Sequence, residues 1–233
     1  MRFFVGTSGY SYKEWKGSFY PEKLPQKDML SYYAQRFSTV EINNTFYRMP
    51  KASMLESWAA QVPEEFRFVI KAPQRITHIK RLKDAEQDTD YLLGAISVLK
   101  GRLGPVLFQL PPNLKKDMPR LVAFLDLIPE GTQAAWEFRH ESWLDEEVFD
   151  CLRAKSAALC IADVDEAPTP ELVSTARWGY VRLRSESYTD DQLVEWIGKL
   201  RSQPWGEAYV FFKHEDAGVG AKLGARFVEL AGQ

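Results

Sequence analysis

TVEINNTFY, residues 39–47, sets Val40 and Ile42 on one face of an extended chain and Glu41, Asn43 and Thr45 on the other, because successive side chains of a strand point to opposite sides. A strand with one wholly polar face needs a polar place to point. Working outward, the signature recurs as Val69 then Lys71 before Pro73, Leu107 then Gln109 before Pro111 and Pro112, and Ala135 then Glu137 then Arg139 before His140. The polar residue comes last each time, at the carboxyl end of an apolar run. Parallel α/β folds present their chemistry where strands end and loops begin, so the pattern marks the mouth of a barrel.

Strands are expected to begin near Phe3, Thr39, Arg67, Pro105, Ala134, Ala157, Gly179 and Ala208, with helix-like segments between them. Eight strand-then-helix units predict a (β/α)8 TIM-like barrel, with the unit between strands six and seven degenerate because residues 169–176 leave room for only a brief helix. A doubly wound open sheet is the competing architecture. The helices carry their own marks: Met29, Tyr33 and Phe37 are spaced four apart, and Leu121, Phe124, Leu125 and Ile128 form a stripe. Thr189 with Gln192 reads as a capping box and Thr169-Pro170 as a first helical turn. No linker or low-complexity tract divides the 233 residues, so one domain over 1–233 is expected.

A formal net charge of −2 argues against a generic polyanion binder. The longest apolar runs are far shorter than the ~20 residues of a membrane helix, and the apolar start is too short for a secretory signal. No membrane association and a cytoplasmic location are therefore expected. Cys151 and Cys160 lack CxxC spacing and read as reduced packing residues.

Keeping the parity of Glu41, the mouth would be lined by Glu41, Asn43, Lys71, Gln109, Glu137, Arg139, Asp163, Arg182, Arg184 and Lys213. Five basic residues against three acidic favour an anionic ligand, whose oxygens take arginine forks in pairs; the alternative is mutual neutralisation inside the barrel. Glu41 and Glu137 are candidate acid/base carboxylates. Lys71 is a candidate base or Schiff-base former, or else a salt-bridge partner of Glu41. Residues 71–83, KAPQRITHIKRLK, form either a lid or phosphate clamp containing His78 or a solvated charged face. Tyr10, Tyr12, Trp15, Phe46, Tyr47 and Trp143 flank the rim, ready to stack on a ligand or to plug the barrel top. Gly218, Gly220 and Gly224 are spaced G-x-G-x-x-x-G, which is not the dinucleotide fingerprint; a phosphate-cradling turn and a flexible loop are both open there. A metal site from His140, Glu137, Glu41 and Asp163 is conceivable, but the basic excess opposes a divalent cation, so neither metal nor cofactor is expected.

Taken together, GTSGYSYKEWKGSFYP, TVEINNTFYRMP, FVIKAPQRITH, LFQLPP and EFRHESW resemble the YecE-like family of proteins of unknown function, which implies a TIM-like barrel. The resemblance maps the family's motif residues onto Gly9, Trp15, Gly17, Glu41, Asn43, Thr45, Phe46, Tyr47, Lys71, His78, Gln109, Glu137, Arg139, His140 and Trp143. The carboxyl third departs: YVRLRS puts Arg184 where the family carries histidine, and Phe212, Lys213 and His214 stand where it reads FNN. The resemblance thus implies fold and site but no reaction.

The leading expectation is an enzyme of the hydrolase, lyase or isomerase type acting on a small anion such as a sugar phosphate or carboxylate. Glu41, Glu137 and Lys71 would carry the chemistry. Asn43, Tyr47, Trp15, His78, Gln109, Arg139, His140, Asp163, Arg182 and Lys213 would hold the substrate. The alternatives are a nucleic-acid binding or processing protein using the basic loop and rim aromatics, and a non-catalytic ligand-binding scaffold.

Overall fold

The computed structural model describes residues 1–165, 171–213 and 218–232. Its strands are β1 (Arg2–Thr7), β2 (Thr39–Ile42), β3 (Arg67–Lys71), β4 (Leu103–Gln109), β5 (Ala134–Glu137), β6 (Ala158–Asp163), β7 (Trp178–Leu183) and β8 (Glu207–Phe212). They form one parallel sheet in the order β1-β8-β7-β6-β5-β4-β3-β2. Its two ends meet through a parallel bridge between Ser8 and Glu41, so the sheet closes into a barrel. Gly6 permits that meeting, because a Cβ there would lie 2.1 Å from the Thr39 carbonyl oxygen.

Helices alternate with the strands: α1 (Met29–Ala34), α2 (Asn44–Tyr47), α3 (Ala52–Ala59), α4 (Glu86–Ile96), α5 (Met118–Leu125), α6 (Glu146–Ala154), α7 (Asp190–Arg201) and α8 (Val219–Leu230). The α5 stripe of Leu121, Phe124 and Leu125 is buried, and Phe124 meets both Phe108 and Trp136 edge-on. The capping box forms: Thr189 Oγ1 accepts from the Gln192 amide and Gln192 Oε1 accepts from the Thr189 amide. Between β6 and β7 the described residues carry no helix, and Thr169-Pro170 lies outside them. None of the described helices is long and apolar enough to cross a membrane.

Two cores result. Outside the barrel, helix stripes pack on the outward strand residues; inside, Phe4, Val69, Leu107, Tyr180, Tyr209 and Phe211 fill the lumen. Phe4 stacks on Tyr209 with centroids 4.7 Å apart. Two residues further along each strand, about 6.6 Å at the strand rise, the filling turns polar. Val69 gives way to Lys71, Leu107 to Gln109, Ala135 to Glu137 and Tyr180 to Arg182. The register sets Gln109 opposite Glu137, while Lys71 stands opposite Leu107, one inward step below Gln109.

The stretch at residues 39–47 is shorter as a strand than its alternation suggests. β2 stops at Ile42, Asn43 takes an α conformation, and α2 begins at once. Thr45 Oγ1 lies 2.9 Å from the Ile42 carbonyl and 2.8 Å from that of Lys71, tying the turn across the ends of β2 and β3. Thr45 is therefore a clamp on the backbone instead of a lumen residue.

Candidate functional site

The floor of the barrel mouth is a buried ion triad. Arg182, on β7, donates from Nη2 to Glu41 Oε1 (2.8 Å) and from Nη1 to Glu137 Oε2 (2.6 Å). Glu41 Oε1 also accepts from Ser8 Oγ and Asn43 Nδ2, and Oε2 from the Tyr180 hydroxyl at 2.7 Å. Glu137 Oε1 accepts from Arg139 Nε at 3.1 Å. Glu41, Arg182 and Glu137 are 0%, 2% and 4% exposed, so each charge depends on these partners in place of water.

Burial alone would push the Glu137 carboxyl up, but the guanidiniums of Arg182 and Arg139 outweigh it and bring it down to about 2. Glu41 follows the same logic: burial is outweighed by Arg182, the Tyr180 hydrogen bond and Lys71, and the carboxyl titrates below its ordinary range. Burial disfavours the Arg182 charge as well, yet the two glutamates more than restore it. All three groups are held ionised.

Above the triad opens a cavity of about 630 Å³ walled by Lys71, His78, Arg139, Arg182, Arg184 and Lys213, with Phe46 and Tyr47 at its rim. The Lys71 ammonium donates to Gln109 Oε1 at 3.0 Å and lies 4.3 Å from the Phe46 ring centroid. In place of the alternative salt bridge with Glu41, Lys71 meets this amide and ring. Burial and the Arg182 charge outweigh Glu41 and Glu137, and the Lys71 amine comes down to about 8. His78 sits in a π-helical turn, Arg75–Ile79, edge-on to Phe46, and burial with the Lys71 charge lowers its pKa. Burial and Arg182 lower that of Arg184 too. Five cationic side chains line the cavity over two carboxylates, a steeper imbalance than the sequence parity implies.

Several expected residues lie elsewhere. Asp163 falls on the outer face of β6, where it accepts from the Tyr188 hydroxyl at 2.7 Å; Cys160 lies in the lumen cluster, and Ala162 shares its parity. Trp15 is buried among Tyr12, Phe19 and Tyr20 and cannot reach a ligand in the mouth. Trp143 is likewise buried, its indole N–H donating to the Leu114 carbonyl. His140 Nδ1 accepts from the Ser142 amide as the cap of a short turn and does not line the cavity. The proposed quartet of His140, Glu137, Glu41 and Asp163 therefore does not converge; among the described residues no group of three or more His, Cys, Asp or Glu is placed to hold a metal ion.

In the basic loop, Arg75 and Lys80 both pair with Asp88 at 2.8 Å, and Lys71, Gln74 and His78 are the members of residues 71–83 that line the cavity. Gly220 and Gly224 belong to α8, and a Cβ at Gly220 would sit 1.8 Å from the Lys213 carbonyl oxygen, so glycine serves close packing there. His214 lies outside the described residues. Ser8 and Tyr180 were not singled out by sequence, although Tyr180 shares the inward parity of Arg182 and that was the available signal.

The chain belongs to a family described as protein of unknown function DUF72, whose model matches residues 4–233. It is 34% identical over 112 residues to the UPF0759 protein YecE of Escherichia coli; that match covers 48% of this chain and only 41% of the relative. It is 23% identical over 268 residues to the UPF0759 protein YunF of Bacillus subtilis, covering 97% of this chain and 94% of that protein. Among solved structures it is similar to a DUF72 family protein of Thermotoga maritima, with a TM-score of 0.81, 28% identity and full coverage of both chains. A DUF72 family protein of Enterococcus faecalis superposes with the same score at 19% identity, covering 99% and 96% of the two chains; at that identity the likeness speaks for the fold alone.

Proposed function

We propose that this barrel is an enzyme of the hydrolase, lyase or isomerase type that takes a small anion, a sugar phosphate or a carboxylate, into the cationic mouth, with Lys71 as the proton-exchanging group. The observation that carries the reading is one cavity walled by five Lys and Arg side chains, one of them an amine brought down to about 8. At that value roughly a tenth of the amines are neutral at pH 7, against a few in ten thousand at the ordinary lysine value. A base is most useful when its pKa lies near the working pH. Arg139 and Arg184, which wall the cavity, would hold the anion. Arg182 Nε is buried without an acceptor among the described residues, a donor whose desolvation a ligand oxygen or water would offset. Glu41 and Glu137, locked as anions, are positioning residues here: they fix Arg182 and set the field at Lys71.

The test is a panel of sugar phosphates and carboxylates, first for a rise in melting temperature, which a ligand specific to the folded state must cause, then for turnover. Turnover that falls on the acid side of pH ~8, as expected for a base of that pKa, and disappears in Lys71→Met is the expected result. An enzyme whose Lys71→Met variant retains full turnover would overturn the assignment.

Nucleic-acid processing keeps one observation in its favour: Tyr47 is 75% exposed at the rim of the cationic cavity, where an unpaired base would stack. That reading requires affinity to fall steeply with salt, whereas a small ligand held inside the mouth is screened far less. A non-catalytic scaffold would show the melting-temperature rise without any turnover.

A further inference from the structure

The β5–β6 seam is a short ladder in the barrel wall. Ala135 pairs with Ala158 and Trp136 with Leu159, and there the ladder stops, although β4 continues alongside β5 as far as Glu137 and β6 alongside β7 as far as Asp163. Where Glu137 would have met Cys160 the strands part. The gap opens into a cleft of about 720 Å³ that touches both faces of β6, Leu159 and Ile161 on one and Cys160 and Ala162 on the other. Two small inward residues in succession leave the space unfilled. The remaining wall is mostly apolar, including Phe138, Phe149 and Val173. Leu144 and Val164, at its edge, are large apolar side chains left exposed. At its inner end the cleft is bounded by Glu137, Arg139 and Arg184, and the two arginines also wall the cationic cavity. The two spaces thus share their charged partition.

We propose that the ligand is an amphiphilic anion: a phosphate ester or carboxylate whose charged group sits among Lys71, Arg139 and Arg184 while an apolar chain or ring enters the β5–β6 cleft. This rests on the anionic reading of the mouth and deepens it by fixing the character of the rest of the molecule. The cleft volume is within the ~300–1,000 Å³ of ligand sites, and an apolar wall with a few convergent polar groups is their usual make-up. A purely polar sugar would leave the apolar wall unused.

The experiment measures binding of inorganic phosphate, butyl phosphate and hexyl phosphate to the full chain by calorimetry or ligand-observed magnetic resonance. If the chain enters the cleft, affinity rises about fourfold per buried methylene, the fold-change equivalent of the ~0.8 kcal/mol hydrophobic increment. Ala162→Leu, which fills the cleft, and Leu144→Asp, an exposed position whose substitution leaves the core intact, should both flatten that rise while phosphate itself binds as before. Equal affinity for all three ligands would overturn the amphiphile while leaving the anionic reading standing. A rise that persists unchanged in both folded variants would place the chain elsewhere and also overturns it. Failure of every one of the ligands to bind would remove the anionic reading, and this inference with it.

Discussion

The floor and the rim of the barrel mouth use the same residue types to opposite ends. On the floor, Arg182 faces two carboxylates and every carboxylate oxygen has a donor. On the rim, Lys71 has an amide and a ring for company, and Arg139 is 41% exposed. A buried pair is stable as a pair and costly to halve; a cation short of counter-charge is cheap to remove and free to meet a ligand. On the proposed anionic reading, stability resides in the floor and affinity in the rim.

The sharpest way to break that division is to empty the floor's centre. Arg182→Leu leaves Glu41 buried without its counter-charge and Glu137 with only the part-exposed Arg139, and should cost about 3–5 kcal/mol by comparison with other halved buried pairs. Lys71→Met, which removes a rim cation unfavourably buried when charged, should stay within about 1 kcal/mol of the native chain, in the usual range for a near-neutral substitution. Urea denaturation of the two variants decides it: equal losses would mean the floor and the rim are one structural unit.

A second, smaller effect follows from Glu137. Its folded pKa is brought below the unfolded value, so its contribution to stability is complete above the unfolded value of a glutamate, ~4.5, and is lost as pH falls through about 2. Glu137→Gln should be less stable near neutrality by about 3 kcal/mol, the lower end for a broken buried pair, and should lose less on acidification. If the variant melts like the native chain at pH 7 but shows no turnover of a substrate the native chain converts, Glu137 acts chemically and the floor is not merely structural.

Lys71 tests the link between the two levels. Its amine is lowered in the folded chain, so the unfolded chain holds the extra proton and stability should rise as pH climbs from about 8 toward the ordinary lysine value. That rise should be absent in Lys71→Met. Because Glu41 and Glu137 oppose the lowering, Glu137→Gln should shift the Lys71 titration further down, readable as faster labelling by an amine-reactive reagent at pH 7. An unchanged titration would mean that the floor does not set the field of the rim.

What could be read from sequence follows the same division. β3, β4 and β5 each end an apolar run on a polar residue, and β2 sets Glu41 between Val40 and Ile42, so the inward parity of Glu41, Lys71, Gln109 and Glu137 was legible. β6 reads ALCIAD, apolar on both parities, and taking its last polar residue as inward put Asp163 on the wrong face; with a period of two, one residue reverses a strand. Tyr180 reads as one more apolar strand residue, and only folding brings its hydroxyl to Glu41, 139 positions away in the chain. Trp15 reads as one of the aromatics flanking the rim, but three neighbouring aromatic rings enclose it. Loop residues carry no period from which burial can be read.

The smallest expected effect on stability belongs to Arg139, and it separates the two levels most finely, because this residue touches both. Its Nε donates to Glu137 Oε1, a floor contact, while the side chain is 41% exposed and walls the cavity. Here water competes for the Arg139 charge and salt screens it, while Glu137 is buried, so the pair contributes toward the ~0–1 kcal/mol of solvent-screened pairs. Glu137 keeps Arg182 when Arg139 is removed, so its carboxylate is not left bare. Arg139→Ala should therefore lower stability by no more than about 1 kcal/mol in a urea titration. Phosphate affinity should drop much further, since a guanidinium fork facing a partly desolvated anion contributes more than a screened surface pair. Measuring both in one preparation at low and at high salt gives the answer. Loss of binding with stability retained assigns Arg139 to the rim; loss of stability with binding retained would assign it to the floor and move the boundary between the two levels outward by one residue.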